Sequence, residues 1–184
     1  MIQGSYGLVL CGGLSTRMKT DKSLLSYFGR PQWEHVHQLL SAHCAEVFIS
    51  CNADQQNQFT NAHKLIVDDP AFRNRGPIAS LLSAFAKFPH RDFLIAGCDY
   101  PFLSNQELDW LLSSRVSRDI ATVFFNESEN LYEPVIGWYS HRCGNLLMES
   151  CVSGNFSLQN FLFGVDARKY IPADANSLIS VDTP

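Results

Sequence analysis

Short apolar runs alternate along this chain with segments whose apolar residues recur at helical spacing. Residues 6–10 (YGLVL) form a run too short for a typical helix and flanked by glycines, which predicts a buried strand. The hydrophobicity stops at Gly12-Gly13, and a polar loop carries Ser15, Thr16, Arg17, Lys19, Asp21 and Lys22. After a Gly29-Arg30-Pro31 turn, Trp33, Val36, Leu39 and Leu40 predict a helix to about Ala42, with Pro31 near its first turn. Residues 46–51 (EVFISC) read as a strand ending in Asn52, and residues 64–67 (KLIV) as a strand ending in Asp68-Asp69-Pro70. A polar segment rich in Gln and Asn separates them. Gly76-Pro77 opens a helix, IASLLSAFAKF, closed by Pro89. Residues 92–98 (DFLIAGC) form a fourth strand that delivers Asp99 at its end. Pro101 and Ser104 introduce a helix with Leu108, Leu111 and Leu112 as its stripe. Strands follow at 120–125 and 134–139, helices at 141–151 and 157–163, and short strand-like pieces in the tail.

Strands that alternate with amphipathic helices imply an α/β fold with helices on both faces of the sheet. The expectation is a three-layer α/β/α sandwich with a mostly parallel, Rossmann-like sheet, formed by residues 1–184 as a single domain without linker or repeat. Such sheets bind ligands beyond the carboxyl ends of their strands. Gly12 and Gly13, Asn52, Asp69 and Asp99 all fall at those ends.

Composition narrows the function classes. The 184 residues are 46% hydrophobic and 17% charged, ordinary for a globular chain, with net charge −4 and no basic block to grip a nucleic acid. No apolar run approaches the ~20 residues of a membrane helix. The first residues, MIQGSYGLVLCGG, lack a basic n-region, so a signal peptide is not expected and a cytoplasmic location is. Six cysteines without a CxxC pair read as reduced, packed thiols. His35 and His37, two apart on a predicted helix, point to different faces and cannot share one ion.

The glycine-and-cation loop carries the chemistry. Paired glycines after a strand let backbone N–H groups approach a ligand, and the cations behind them suit a polyphosphate. A P-loop needs Gly directly before Lys-Ser, whereas Lys22-Ser23 follows Asp21; the dinucleotide fingerprint needs GxGxxG, which is absent. LCGGLSTRMKTDKSLL, followed by GRPQWEHV, resembles the nucleotidyltransferase superfamily that activates sugars and cofactors with nucleoside triphosphates. It is specifically similar to the molybdenum cofactor guanylyltransferases, whose loop reads approximately LAGGxSxRMGxDKxLL. Gly76-Pro77-Ile78-Ala79 resembles that family's GPLAG, and Cys98-Asp99-Tyr100-Pro101-Phe102 its CDxPF. Glu133-Pro134-Val135 is similar to a His/Gln-Pro segment on its acceptor side. Cys11 stands where the family has Ala, Lys19 and Ser80 where it has Gly, and Ser180 and Asp182 where it has Asn.

The resemblance implies GTP as nucleotide donor, the phosphate of molybdopterin cofactor as acceptor, Mg²⁺ as cofactor, and hand-over to other cofactor-biosynthesis or acceptor proteins. It assigns the nucleotide to backbone N–H groups around Leu10, Cys11, Gly12 and Gly13, with Arg17 and Lys22 neutralising phosphates. Asn52, Asp69 and Gly76 complete the nucleotide side, Asp99 takes the metal, and Asp182 could be a second oxygen ligand. Each residue also has a plain structural reading. Gly12-Gly13 could be a turn, Arg17 and Lys22 solvated charges, Asn52 a loop cap, Asp69 the opening of the turn at Pro70, and Asp99 a cap for the helix after Pro101. Tyr132, Glu133 and Trp138 could face the acceptor or belong to the core. A related enzyme using CTP or another acceptor, or a catalytically weak nucleotide-binding protein, stays open beside the guanylyl reading.

Overall fold

β1 (Tyr6–Leu10) pairs in parallel with β2 (Glu46–Cys51) on one side and with β4 (Phe93–Gly97) on the other, which puts the most apolar strands at the sheet's centre. The computed structural model describes residues 4–11, 29–59, 63–72 and 75–181. Among these, β3 (Lys64–Val67), β5 (Ala121–Asn126), β6 (Leu131–Tyr139) and β7 (Arg168–Tyr170) complete a sheet of order β3-β2-β1-β4-β6-β5-β7. β6 runs antiparallel to both of its neighbours; the other pairings are parallel.

Alternation along the strands feeds two apolar layers, as period two requires. Leu8, Phe48, Ile66, Ile95 and Val123 face α2 (Pro77–Lys87), α4 (Cys143–Val152) and α5 (Leu158–Gly164) through Ile78, Leu81, Phe85, Leu147 and Leu162. Val9, Ile49, Leu94, Ala96 and Phe124 face α1 (Gln32–Ser41) and α3 (Asn105–Ser114) through Trp33, Val36, Leu40, Leu108 and Leu111. The expected three-layer α/β/α arrangement is therefore present. No described helix is long and apolar enough to cross a membrane.

Two elements differ from the sequence reading. The sixth strand starts at Leu131 rather than Pro134, so a proline lies inside it. The β4 ladder reaches only the Ala96–Ile136 pair, and the β5 register shifts between Val123 and Phe125, so the missing N–H of Pro134 falls where no regular rung is lost. The polar segment after Asn52 is a 3-10 helix, Ala53–Gln58, rather than loop.

Candidate functional site

The chain steps outward from β1 to β2 to β3, then returns through α2 to lay β4 against the opposite side of β1. The direction of winding thus reverses between β1 and β4, and their carboxyl ends bound the crevice where open α/β sheets bind ligands. Leu10 and Cys11 end β1; Cys98 and Asp99 follow β4. The ladders run one residue past the strands: Cys11 N–H donates to the Ser50 carbonyl at 3.0 Å and Cys98 N–H to the Leu10 carbonyl at 3.4 Å. The Cys11 and Cys98 sulfurs lie 3.3 Å apart, buried. Gln55 secures the same corner, its Nε2 donating to the Cys11 carbonyl at 3.2 Å while its Oε1 accepts from Asn52 N–H at 3.2 Å.

Asn52 and Asp69 sit at the crevice edge, each with its Oδ1 engaged by local backbone. Asn52 Oδ1 accepts from Asp54 N–H at 2.9 Å and Gln55 N–H at 3.0 Å, one half of a reciprocal capping box with Gln55. Asp69 Oδ1 accepts from Ala71 N–H at 2.8 Å and starts the 3-10 turn Pro70–Phe72. Asp68 beside it points inward and accepts from the Ser50 and Ser80 hydroxyls, each at 3.0 Å. Burial raises its carboxyl above the usual range, and the two serine hydrogen bonds only partly oppose that. Ser80, where the related motif carries glycine, thus has a structural task. Gly76 precedes α2 at φ +65°, a backbone shape that L side chains rarely adopt, with no atom near the position a Cβ would fill.

Asp99 is half-buried, and its Oδ1 folds back over Gly97, where a Cβ would lie 2.6 Å away. It does not cap the next helix: Ser104 does, its Oγ accepting from Glu107 N–H at 3.3 Å. Glu133 approaches from β6, whose antiparallel course brings its first residues to this edge of the sheet. Burial raises the Glu133 carboxyl; a hydrogen bond from Tyr100 opposes that, and the charges of Asp99 and Glu129 raise it further. The C-terminal segment also reaches this point through Val181. Buried Glu107 accepts from Tyr170 Oη at 2.6 Å and Asp174 N–H at 2.8 Å, and Val181 N–H then donates to the Asp99 carbonyl at 2.8 Å.

Among the described residues no three His, Cys, Asp or Glu side chains gather around one point. Mg²⁺ asks for less, taking one or two carboxylates beside phosphate oxygens and waters. Asp99, with Glu133 in electrostatic reach, is a donor set of that hard-oxygen kind. Between α2 and the start of β6 a pocket of about 260 Å³ is lined by Arg75, Pro77, Pro134, Val135 and Phe156, with the Arg75 guanidinium 3.8 Å from the Phe156 ring centre. That is smaller than a typical small-molecule site and suits part of a substrate. Gly12, Gly13, Arg17 and Lys22, and Asp182 at the other end of the chain, lie outside the described residues. The sequence reading missed Gln55, although its spacing from Asn52 is that of a capping box.

Comparison with known proteins follows the same lines. The family model of a MobA-like NTP transferase domain matches residues 7–166. A molybdenum cofactor biosynthesis bifunctional protein of Synechocystis is 31% identical over 135 residues, 73% of this chain and 39% of that protein's length. A probable molybdenum cofactor guanylyltransferase of Halalkalibacterium halodurans is 30% identical over 139 residues, 74% of this chain and 70% of the relative. Among solved structures, molybdopterin-guanine dinucleotide biosynthesis protein A of Archaeoglobus fulgidus shares the fold with a TM-score of 0.77 at 19% identity, over 97% of this chain and 93% of that one.

Proposed function

The chain belongs to the MobA-like NTP transferase family, a family of nucleotidyltransferases, and from that premise we propose that it transfers GMP from GTP to the phosphate of molybdopterin cofactor with release of pyrophosphate. The observation that carries the reading is Asp99, a carboxylate at the winding reversal of a chain matched to that family over residues 7–166. The guanylyltransferase names of several relatives, such as that of Pseudomonas entomophila at 28% identity over 158 residues (85% of this chain, 81% of the relative), support GTP and the pterin acceptor.

In the proposed reaction an oxygen of the acceptor phosphate attacks the α-phosphorus of the nucleotide, a new P–O bond forms, and the bond to the β-phosphate oxygen breaks. Such transfer depends on in-line positioning and charge stabilisation rather than a covalent enzyme intermediate. Asp99 would hold Mg²⁺, which when bound neutralises phosphate oxygens. Gln55 and the Ser50 carbonyl fix the end of β1, and because the Cys11 N–H is spent on Ser50, the backbone N–H groups that meet the nucleotide would be those of Gly12 and Gly13, with Arg17 and Lys22 as counter-charges. Asn52 and Asp69 act through the local backbone they cap. We assign the reaction to the cytoplasm, in keeping with six cysteines all in thiol form.

Calorimetric titration of the protein with GTP, CTP and ATP, each with and without Mg²⁺, tests this reading. The expected result is GTP binding that strengthens with Mg²⁺ and exceeds that of CTP and ATP. A preference for CTP would overturn the guanylyl assignment, and no triphosphate binding would overturn the transferase reading of the site.

A further inference from the structure

Cys11 and Cys98 end two hydrogen-bonded parallel strands, β1 and β4, one residue past the Leu10–Gly97 pair. Neighbouring strands run about 4.8 Å apart, inside the ~4.4–6.8 Å Cα separation that a disulfide spans. Their sulfurs already lie 3.3 Å apart. We propose that Cys11 and Cys98 are a modification site: a reversible disulfide, formed by a peroxide-class oxidant, that ties β1 to β4 beneath the bound nucleotide. The cross-link stands on geometry alone; its effect on catalysis rests on the function proposed above.

The chemistry balances as two thiols and one hydrogen peroxide giving one disulfide and two waters. One sulfur attacks a peroxide oxygen and becomes a sulfenic acid as the first water leaves. The second sulfur displaces the sulfenic oxygen as the second water. A dithiol reductant reverses the bond by exchange.

The other four cysteines are poorer candidates. Cys51 flanks Cys11 from β2, but burial and the Asp68 charge push its thiol up to about 11. Burial pushes Cys44 up to about 12 and also raises Cys143 and Cys151. Thiolate is the reacting form, so each of these is slow toward peroxide.

Closing the bond brings the sulfurs from 3.3 Å to about 2.05 Å, a shift of roughly 1.2 Å. Rotation about the two Cα–Cβ bonds takes up part of that closure, and the remainder falls between the residue before Gly12-Gly13 and the residue before Asp99. A displacement of about 1 Å in reacting groups can cost about 100-fold in turnover, which sets the upper bound for this cross-link. A nucleotide lying over the strand ends also covers both sulfurs, so GTP with Mg²⁺ is expected to slow the oxidation.

The test treats the full chain with hydrogen peroxide, counts free thiols, and maps cross-linked peptides. Expected are a fall of two from the six thiols, a Cys11–Cys98 peptide as the first cross-link, and a loss of turnover of up to ~100-fold that dithiothreitol restores. Cys98→Ala, compared with its own reduced form, should neither lose two thiols together nor show the reversible loss. A first cross-link between Cys11 and Cys51, or no internal cross-link once other thiols are oxidised, overturns the proposal. If reduced protein binds no triphosphate, the proposed function fails while peptide mapping of the wild type still decides the cross-link.

Discussion

The two edges of this sheet are built on opposite electrostatic terms. At the amino edge, charges meet partners. Asp92 accepts from both the His141 backbone N–H and its ring Nδ1, at 2.8 and 2.9 Å. Asp119 receives Arg168 at 2.6 Å, Val116 N–H at 2.8 Å and the Thr122 hydroxyl at 3.3 Å. Burial works to raise Asp119, but those hydrogen bonds and the Arg168 charge outweigh it and hold the carboxyl below its ordinary 3.8. At the carboxyl edge, Asp68 rests on two serine hydroxyls and Glu133 faces the charge of Asp99, and both carboxyls are raised. Among the described residues, a groove of about 750 Å³ lined by Leu82, Phe85, His90 and His141 lies at the amino edge. A site that must receive a cation and phosphates shows itself by carboxylates held in an unfavourable field, at some expense in stability.

The sharpest way to break the comparison is Asp99→Asn, which removes a carboxylate charge where Mg²⁺ is expected. A bound metal's charge stabilisation is worth several kcal/mol, so turnover should fall more than ~100-fold while the melting temperature barely moves. Near-wild-type turnover would remove Asp99 from the chemistry. Gly97→Ala tests position rather than charge, since its Cβ would meet Asp99 Oδ1 at 2.6 Å and must push the carboxylate aside. A tenfold to ~100-fold loss of turnover with little change in fold is expected, and unchanged kinetics would show that the carboxylate tolerates the shift.

The amino edge should answer in the other currency. Asp119→Ala leaves Val116 N–H and the Thr122 hydroxyl without their acceptor, a loss of about 1–2 kcal/mol in denaturant melts with turnover unchanged. Arg168 is 32% exposed, so its screened charge adds little. Because Asp119 is depressed in the folded state, its contribution is present above the ordinary 3.8 and is lost as pH falls through the lower folded value. Turnover falling with stability would show that the two edges are coupled.

Strand ends and helix stripes were legible because each depends on local spacing, and the Asp99 position followed from them. Two functional candidates, Asn52 and Asp69, were also legible as caps, since capping needs only neighbouring amides; the structure has both oxygens engaged there. What spacing could not carry was contact across the chain. Cys11 and Cys98 are separated by 87 positions, Tyr170 and Glu107 by 63, and no pattern in either segment announces the other. The reversed direction of β6 was also hidden, because alternation specifies a face and not a direction. Its hairpin signal is weak: Asn126 Oδ1 turns the chain by accepting from Ser128 N–H at 3.1 Å, and Asn130 takes φ +54°. Pro134 then obscured where the strand begins.

The smallest expected effect is the most discriminating about why the carboxyl edge is built this way. Glu133 has its folded carboxyl raised above the ordinary 4.5, so the folded state binds its proton more tightly than the unfolded state does. Stability must then fall as pH rises from the unfolded value through the folded one, and the penalty is complete above it. Glu133→Gln removes that charge while leaving an amide oxygen to accept from Tyr100. Without metal, the variant should melt slightly higher than wild type at neutral pH, and the difference should vanish below pH 4.5, where both forms are neutral. With Mg²⁺ and GTP the order should invert, because the charge that burial penalises is the one a cation would reward. A variant that melts lower than wild type without metal would mean that Glu133 is already satisfied, and the contrast between the two edges would then rest on Asp68 alone.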